Sequence, residues 1–390
     1  MTGGSPASSR PSRPTRPSRA VIRRRRLIVG LISVLAVALL AVVGTIAAHA
    51  LLGGGQDKGT TAGPTGTPTP KPTPLTPVQA LLKTAADPAT ACAVSFAGDG
   101  VQHAPMLQTS GALFSGLPIP EKPGAVFAGW YPTPETAQTQ AQTDRVNGSQ
   151  LTTCTDHQRT LYAAWTTPEQ NTATASKIPI LMYHQFTTKP EGEDNWLRNN
   201  YVYIEDFKAQ MDYVASQKFY MPTWDELNAF IDGKLFLPQH SLIITDDDAD
   251  PTWLQLAVPV ITERKLLTTS FVITGERKDG PPSPYVLQRS HTNDMHRAGD
   301  NGKGRMVNLS ADEVAADLEE SAKVLGTKEV IAYPYGHYNA TAEEGVTKAG
   351  FLLARTIDFG YVKIGTNKLE LPVVRINYGD TVNGLRNNIG

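Results

Sequence analysis

From Ile178 onward, short apolar runs alternate with stretches of helical periodicity, and this alternation limits the chain more than any other feature. Ile178-Pro179-Ile180-Leu181-Met182-Tyr183 reads as a strand buried on both faces. Ile204, Phe207, Met211 and Val214 then recur at helical spacing, and Thr223-x-x-Glu226 is a capping box that opens a second helix. Leu242–Thr245, Ser270–Ile273, Tyr285–Gln288, Val330–Tyr333, Phe351–Ala354 and Val373–Ile376 supply further strands. Helical stretches lie near Trp253–Arg264 and from the Ser310-x-x-Glu313 capping box to Leu325. Strands separated by helices pair in parallel through crossover connections. Residues 178–390 are therefore expected to form an α/β domain, a (β/α) barrel or a doubly wound sheet. In either architecture the chemistry belongs at the C-terminal ends of the strands.

Two of those ends are unusual. Leu242–Thr245 runs into Asp246-Asp247-Asp248-Ala249-Asp250. Carboxylates crowded this closely repel unless a cation or a basic side chain neutralises them; the competing reading is a solvated turn. Tyr285–Gln288 leads to His291-Thr292-Asn293-Asp294-Met295-His296, which holds two of the eight histidines. On one helix these two lie about 140° apart, so they meet at one ion only if the backbone turns between them. Gly299, Gly302 and Gly304 follow and favour irregular backbone. Exposed polar loop residues are the plainer alternative.

Taken in order, these segments resemble the motifs of the polysaccharide deacetylases, the NodB-homology domain of carbohydrate esterase family four. Thr245-Asp246-Asp247-Asp248-Ala249 is similar to the family's Thr-Phe-Asp-Asp-Gly motif. His291-Thr292 with His296 is similar to its histidine motif, in the spacing of the poly-β-1,6-N-acetylglucosamine deacetylase branch. Tyr333-Pro334-Tyr335-Gly336 looks like the third motif, and Met182-Tyr183-His184 like the first strand. The resemblance covers about 178–390 and implies a distorted barrel of about seven strands. It also implies Asp248, His291 and His296 as ligands of a divalent metal, with Zn2+ first and Co2+ or Ni2+ also suited to such donors. Asp247 would be the base, and the Tyr335 N–H would hold the oxyanion. The implied reaction is hydrolysis of N-acetyl groups on an N-acetylglucosamine polymer, a peptidoglycan or an exopolysaccharide, with acetate released.

The chain departs from the family pattern in three places. Asp246 stands for an aromatic residue and Ala249 for glycine, which leaves the register of the three aspartates open. The arginine that orients the base is missing from the third motif, with Arg355 or Arg375 as replacements from neighbouring strands. The C-terminal histidine motif is absent from Leu371–Asn377, so His184 and His337 become the candidates for general acid. The same constellation would also serve an O-acetyl esterase, and without an acid the domain could be a non-catalytic binder of cell-wall glycan.

The N-terminal half sets the expected compartment. Basic and acidic residues number 36 and 37, but eight arginines and no acid lie in 1–26, so the remainder carries −9. This excludes a basic nucleic-acid-binding body and marks 1–26 as a disordered cytoplasmic tail. Arg23–Arg26 abut an uncharged run, Leu27–Ala48, whose 22 residues span about 33 Å as a helix. Residues 27–50 thus read as a membrane anchor with the bulk outside, or as a secretory signal cut after Ala48-His49-Ala50. Residues 51–78, with Thr67–Pro74 alternating Thr, Pro and Lys, read as a semi-extended linker. Residues 79–176 read as a small α+β module of unassigned role. Its Cys92 and Cys154 are expected to pair in an oxidising compartment. Ala125–Tyr131 and Leu161–Trp165 are its predicted strands, and Pro132–Arg145 its helix, entered through Thr133. Over about twenty residues it is similar to the peptidoglycan-binding SPOR repeat.

Overall fold

The structure, a computed structural model, describes residues 74–390, which lie within one compact unit. The expected tail, anchor and most of the linker, residues 1–73, lie outside the described residues. Among the described residues no helix is long and apolar enough to cross a membrane. The linker, expected to reach residue 78, gives way earlier: Thr76 caps a helix at Pro77–Leu82 by accepting the Gln79 N–H.

Four strands form the first sheet: β1 (Ala91–Ala97), β2 (Met106–Thr109), β3 (Val126–Tyr131) and β4 (Gln158–Thr166). Their spatial order is β2-β1-β4-β3, with β1 parallel to β4 and the other pairs antiparallel. Cys92 in β1 is bonded to Cys154, 62 residues on. Closing such a loop stabilises by roughly 4 kcal/mol in the chain-entropy picture. Thr133 does cap a helix, but that helix is only Pro134–Thr139. Gln140 turns left-handed, and the chain doubles back so that the Val146 N–H donates to the Trp130 carbonyl.

Seven parallel strands close into a barrel: β5 (Ile180–Tyr183), β8 (Ile243–Asp247), β9 (Thr268–Val272), β10 (Val286–Ser290), β11 (Val330–Ala332), β12 (Leu353–Phe359) and β13 (Leu371–Arg375). Two short strands, β6 (Gln185–Thr187) and β7 (Tyr201–Tyr203), pair beyond the end of β5. β12 begins two residues later than predicted, because Phe351 is drawn into the core beside the helix Ala340–Lys348. The stretch expected to be helical at Trp253–Arg264 splits into a π-turn, Trp253–Ala257, and an α-helix, Val258–Arg264. Pro259 has no N–H to give the preceding turn, and the wider turn accommodates that loss.

The sheet and the barrel share one apolar core. Cys92, Phe127, Trp130 and Leu161 cluster with Ile178, Ile180, Ile243, Val330, Leu353 and Leu371, which begin or just precede barrel strands. The sheet therefore seals the N-terminal end of the barrel and leaves the C-terminal end open. Polar contacts lock the junction. Arg145 lies across Gly129, where any Cβ would come within 2.3 Å of the Arg145 Nε. Its guanidinium sits 4.4 Å from the Tyr220 ring centroid, donates to the Phe236 carbonyl at 2.7 Å and lies 3.5 Å from Glu226. Asn147 donates to Glu226 at 2.7 Å, and Glu226 also accepts the Thr223 N–H, completing the expected capping box.

Removing one member of a buried ion pair strands the other charge, a loss of roughly 3–5 kcal/mol. Arg145→Ala should lower the stability of the whole unit by about that amount. Denaturant unfolding followed by tryptophan fluorescence and by far-UV circular dichroism should stay coincident and single. Two separated transitions would show instead that sheet and barrel fold independently.

Candidate active site

Most side chains of interest leave the C-terminal end of a barrel strand. His184 follows β5, Asp247 ends β8 and Asp248 follows it, His291 follows β10, and Tyr335 lies just past β11. Arg355 lies within β12 and Arg375 ends β13. Parallel pairing of all seven strands brings these ends to one mouth.

Asp248, His291 and His296 converge. Asp248 Oδ1 is 3.4 Å from His291 Nε2 and 3.3 Å from His296 Nε2. A tetrahedral ion with bonds near 2.1 Å needs donor atoms about 3.4 Å apart. The Nδ1–H of His291 donates to the Ala332 carbonyl at 2.9 Å, which turns the Nε2 lone pair inward. Asp248 Oδ1 is buried yet accepts no hydrogen bond. A buried acceptor without a donor costs energy unless something else meets it, and a divalent cation fits this His₂Asp set. Among the described residues this is the one cluster of three or more such donors suited to an ion.

The backbone around this triad is unusual. Among the described residues, ten non-glycine positions have positive φ: four cap helix C-termini, two form the Asp156–His157 turn, and four lie here. These four are Asp248 (72°), Ala249 (50°), Thr292 (70°) and Tyr335 (58°). Left-handed backbone in ordinary residues costs about 1–2 kcal/mol each and clusters at functional sites. Thr292 supplies the turn that the spacing of His291 and His296 demands. Tyr335 leaves its own N–H without a partner among the described hydrogen bonds, and its ring lies 4.3 Å from that of His296.

Asp247 is buried beside the triad. Arg355 Nη2 reaches both its oxygens at 2.5 Å, and His184 Nε2 lies 3.6 Å from Oδ2. Arg355 is itself buried, with its guanidinium 5.0 Å from the Phe271 ring centroid. Of the two candidate arginines, then, Arg355 contacts Asp247, while Arg375 donates to Asn200 and Asn377. His337 does not join the group: its Nδ1 accepts the Gly304 N–H at 2.8 Å. Asp246 points away from the triad, fully buried, with one oxygen 3.3 Å from the Ser270 hydroxyl and the other unpartnered. The register is thereby resolved geometrically: Asp248 meets the histidines, Asp247 the arginine, and Asp246 neither.

Charge states follow from these contacts. Burial alone would raise Asp247, but Arg355 and His184 outweigh it and hold the carboxyl below its usual range. Burial also works against Asp248, which His291 and His296 pull well down. His184 is lowered by burial, partly offset by Asp247 and Asp248. Burial opposes a charge on His291, yet Asp248 and Asp247 prevail and raise it. His296 drops to about 4 through burial and the neighbouring His291. Asp246 is raised well above a normal carboxyl by burial, then by Asp247 and Asp248. At neutral pH the mouth thus holds two ionised carboxylates, a neutral His184 and a neutral His296.

Comparison with known proteins bears on this mouth. Residues 237–354 match the sequence profile of a family described as polysaccharide deacetylase. A poly-β-1,6-N-acetyl-D-glucosamine N-deacetylase of Staphylococcus aureus is 26% identical over 202 residues, which covers 46% of this chain and 69% of that protein. Among solved structures, the Streptococcus pyogenes deacetylase PplD in complex with acetate is similar at 22% identity and a TM-score of 0.48. That likeness covers 55% of this chain and 99% of the other. IcaB from Ammonifex degensii is also 22% identical, with a TM-score of 0.45, covering 54% and 95%.

A histidine whose pKa is lowered in the fold adds stability above its unfolded value, and that stability fades as pH falls through the folded value. For His296 the window runs from 6.5 down to about 4. In metal-free protein, His296→Gln should flatten the acid-side loss of stability across this window, read from urea midpoints at half-unit pH steps. An unchanged slope would contradict the assignment.

Proposed function

We propose that this chain, whose residues 237–354 match the polysaccharide deacetylase family, hydrolyses N-acetyl groups on an N-acetylglucosamine polymer and releases acetate. One observation carries the reading: a partly buried triad at ion-binding separations lies directly beside an arginine-clamped carboxylate and a partly buried histidine. The names of the staphylococcal relatives supply the polymer class. Asp248, His291 and His296 would hold a divalent metal, Zn2+ foremost. When bound, the ion acts as a Lewis acid that acidifies water and polarises the acetamide carbonyl.

The chain's own residues do the rest. Asp247, ionised and held by Arg355 in one orientation, takes a proton from the attacking water as the new C–O bond forms. The free Tyr335 N–H donates to the oxyanion that develops on the carbonyl oxygen. As the C–N bond breaks, the leaving amine needs a proton, and His184 lies 3.6 Å from the carboxyl that has just gained one. Because His184 rests neutral, it can receive that proton and pass it on. The hydrogen bond at His337 Nδ1 favours a supporting role in the Gly304 loop over that of general acid. The products are acetate and a free glucosamine unit.

We place the domain outside the cytoplasm, tethered by or released from residues 27–50. The Cys92–Cys154 bond supports an oxidising compartment.

The zinc-loaded protein should release acetate from N-acetylglucosamine oligomers, to be tested on β-1,6- and β-1,4-linked chains. Chelation should abolish the release and Zn2+ restore it. Asp247→Asn should cut kcat by roughly 10²–10⁴-fold, the usual contribution of a positioned base. Binding of these oligomers without any acetate release would overturn the enzymatic reading in favour of a glycan-binding protein, and acetate released only from O-acetylated sugars would favour an esterase.

A further inference from the structure

His291 and His296 sit on a loop with no regular secondary structure, yet their nitrogens must hold positions fixed to a few tenths of an ångström. Nothing in the loop's composition ensures this. The backbone N–H groups show where the order comes from. The His291 N–H donates to the Val272 carbonyl on β9 at 2.9 Å. Thr292 donates to the Ser290 hydroxyl at 3.0 Å, and Met295 to the Thr292 hydroxyl at 3.2 Å. The two between them, Asn293 and Asp294, donate at 2.7 and 2.8 Å to the two carboxylate oxygens of a single residue, Asp317. Five consecutive N–H groups are thus bonded, and the two at the centre depend on one side chain from another element.

That element is the helix Ala311–Leu325. Ser321, one turn after Asp317 and on the same face, is fully buried, and its hydroxyl lies 2.8 Å from that of Ser290. The helix is firmly seated. Ser310 and Glu313 close its capping box, and Val314 packs where a Cβ on Gly345 would come within 2.5 Å. Asp317 and Ser321 therefore carry the position of a packed helix into the loop between the two histidines. A charged acceptor spanning two adjacent N–H groups also fixes the peptide planes that follow the left-handed Thr292, which is where the chain turns His296 back towards His291.

We propose that Asp317, assisted by Ser321, is the positioning residue of the ion site: it sets the separation of His291 and His296 without touching the metal. The inference rests on the metal-centre reading above. Groups that orient ligands from behind typically change metal affinity by about 10–100-fold when removed.

The test uses the full chain, freed of metal, as wild type, Asp317→Ala, Asp317→Asn and Ser321→Ala. Zn2+ affinity is measured by competition with a chromophoric chelator, and Co2+ is added separately to read ligand geometry from its visible spectrum. Asp317→Ala should weaken Zn2+ binding about 10–100-fold and alter the Co2+ spectrum, while its metal-free circular dichroism matches wild type. Asp317→Asn keeps the shape and one acceptor but faces the second N–H with its own NH2, so its loss should be smaller. Ser321→Ala should lose least. Wild-type affinity and spectrum in Asp317→Ala would overturn the proposal; should that variant not fold, the same result in Asp317→Asn decides it. A wild-type chain that binds neither Zn2+ nor Co2+ would remove the metal centre itself, a failure distinct from that of the brace.

Discussion

A charged carboxylate inside a barrel is tolerable only beside a permanent counter-charge, and the Asp247–Arg355 contact meets that need. Both groups are almost wholly shielded from water, where an isolated charge would be costly. Guanidinium is the suitable partner because it does not give up its proton and can face both carboxylate oxygens. Once Asp247 is held ionised, its neighbours sort themselves. Asp248 turns to the histidines, and Asp246, left without a cation, tends to keep its proton. One pairing across the barrel thus separates three chemically identical residues into three different environments.

The strands of the barrel were legible because each is a short apolar run bracketed by turn residues. Strands β1 and β2 were not: Ala91–Ala97 is dominated by small residues and gives little periodic signal, and its strand character comes from pairing with β4. Crowded carboxylates and a close histidine pair stand out in the sequence because they are improbable without a shared partner, but which aspartate joins the histidines was implied only by the family resemblance, and the fold brings Asp248 to them. The choice between Arg355 and Arg375 could not, since it depends on how the strands stagger as the barrel closes. His184 and His337 were equivalent as letters and differ only in what surrounds them. Asp317 escaped notice for a related reason. On an exposed helix an aspartate is ordinary, and only the loop folded against it gives the carboxylate something to do.

The two ends of the barrel are built on opposite principles. At the N-terminal end, aromatic and aliphatic side chains from β1, β3 and β4 merge with the strand starts, and the few polar groups are spent on one buried network around Glu226. At the C-terminal end, polar groups face inward and several keep an unused donor or acceptor, among them Asp248 Oδ1, His184 Nδ1 and Arg355 Nε. Both ends keep unpartnered polar atoms, Arg145 Nε among them at the closed end, but only at the open end do they face a mouth.

The left-handed backbone at Asp248 and Ala249 carries a further implication. The inversion sets where the Asp248 Cα–Cβ bond leaves the chain, directly after β8, which pairs with β5 and β9. The root of the carboxylate is thereby fixed by the barrel. A donor rooted in this way is less like a hand that closes on its guest than like a socket milled into the frame, and an ion held there would meet the stiffness of the barrel.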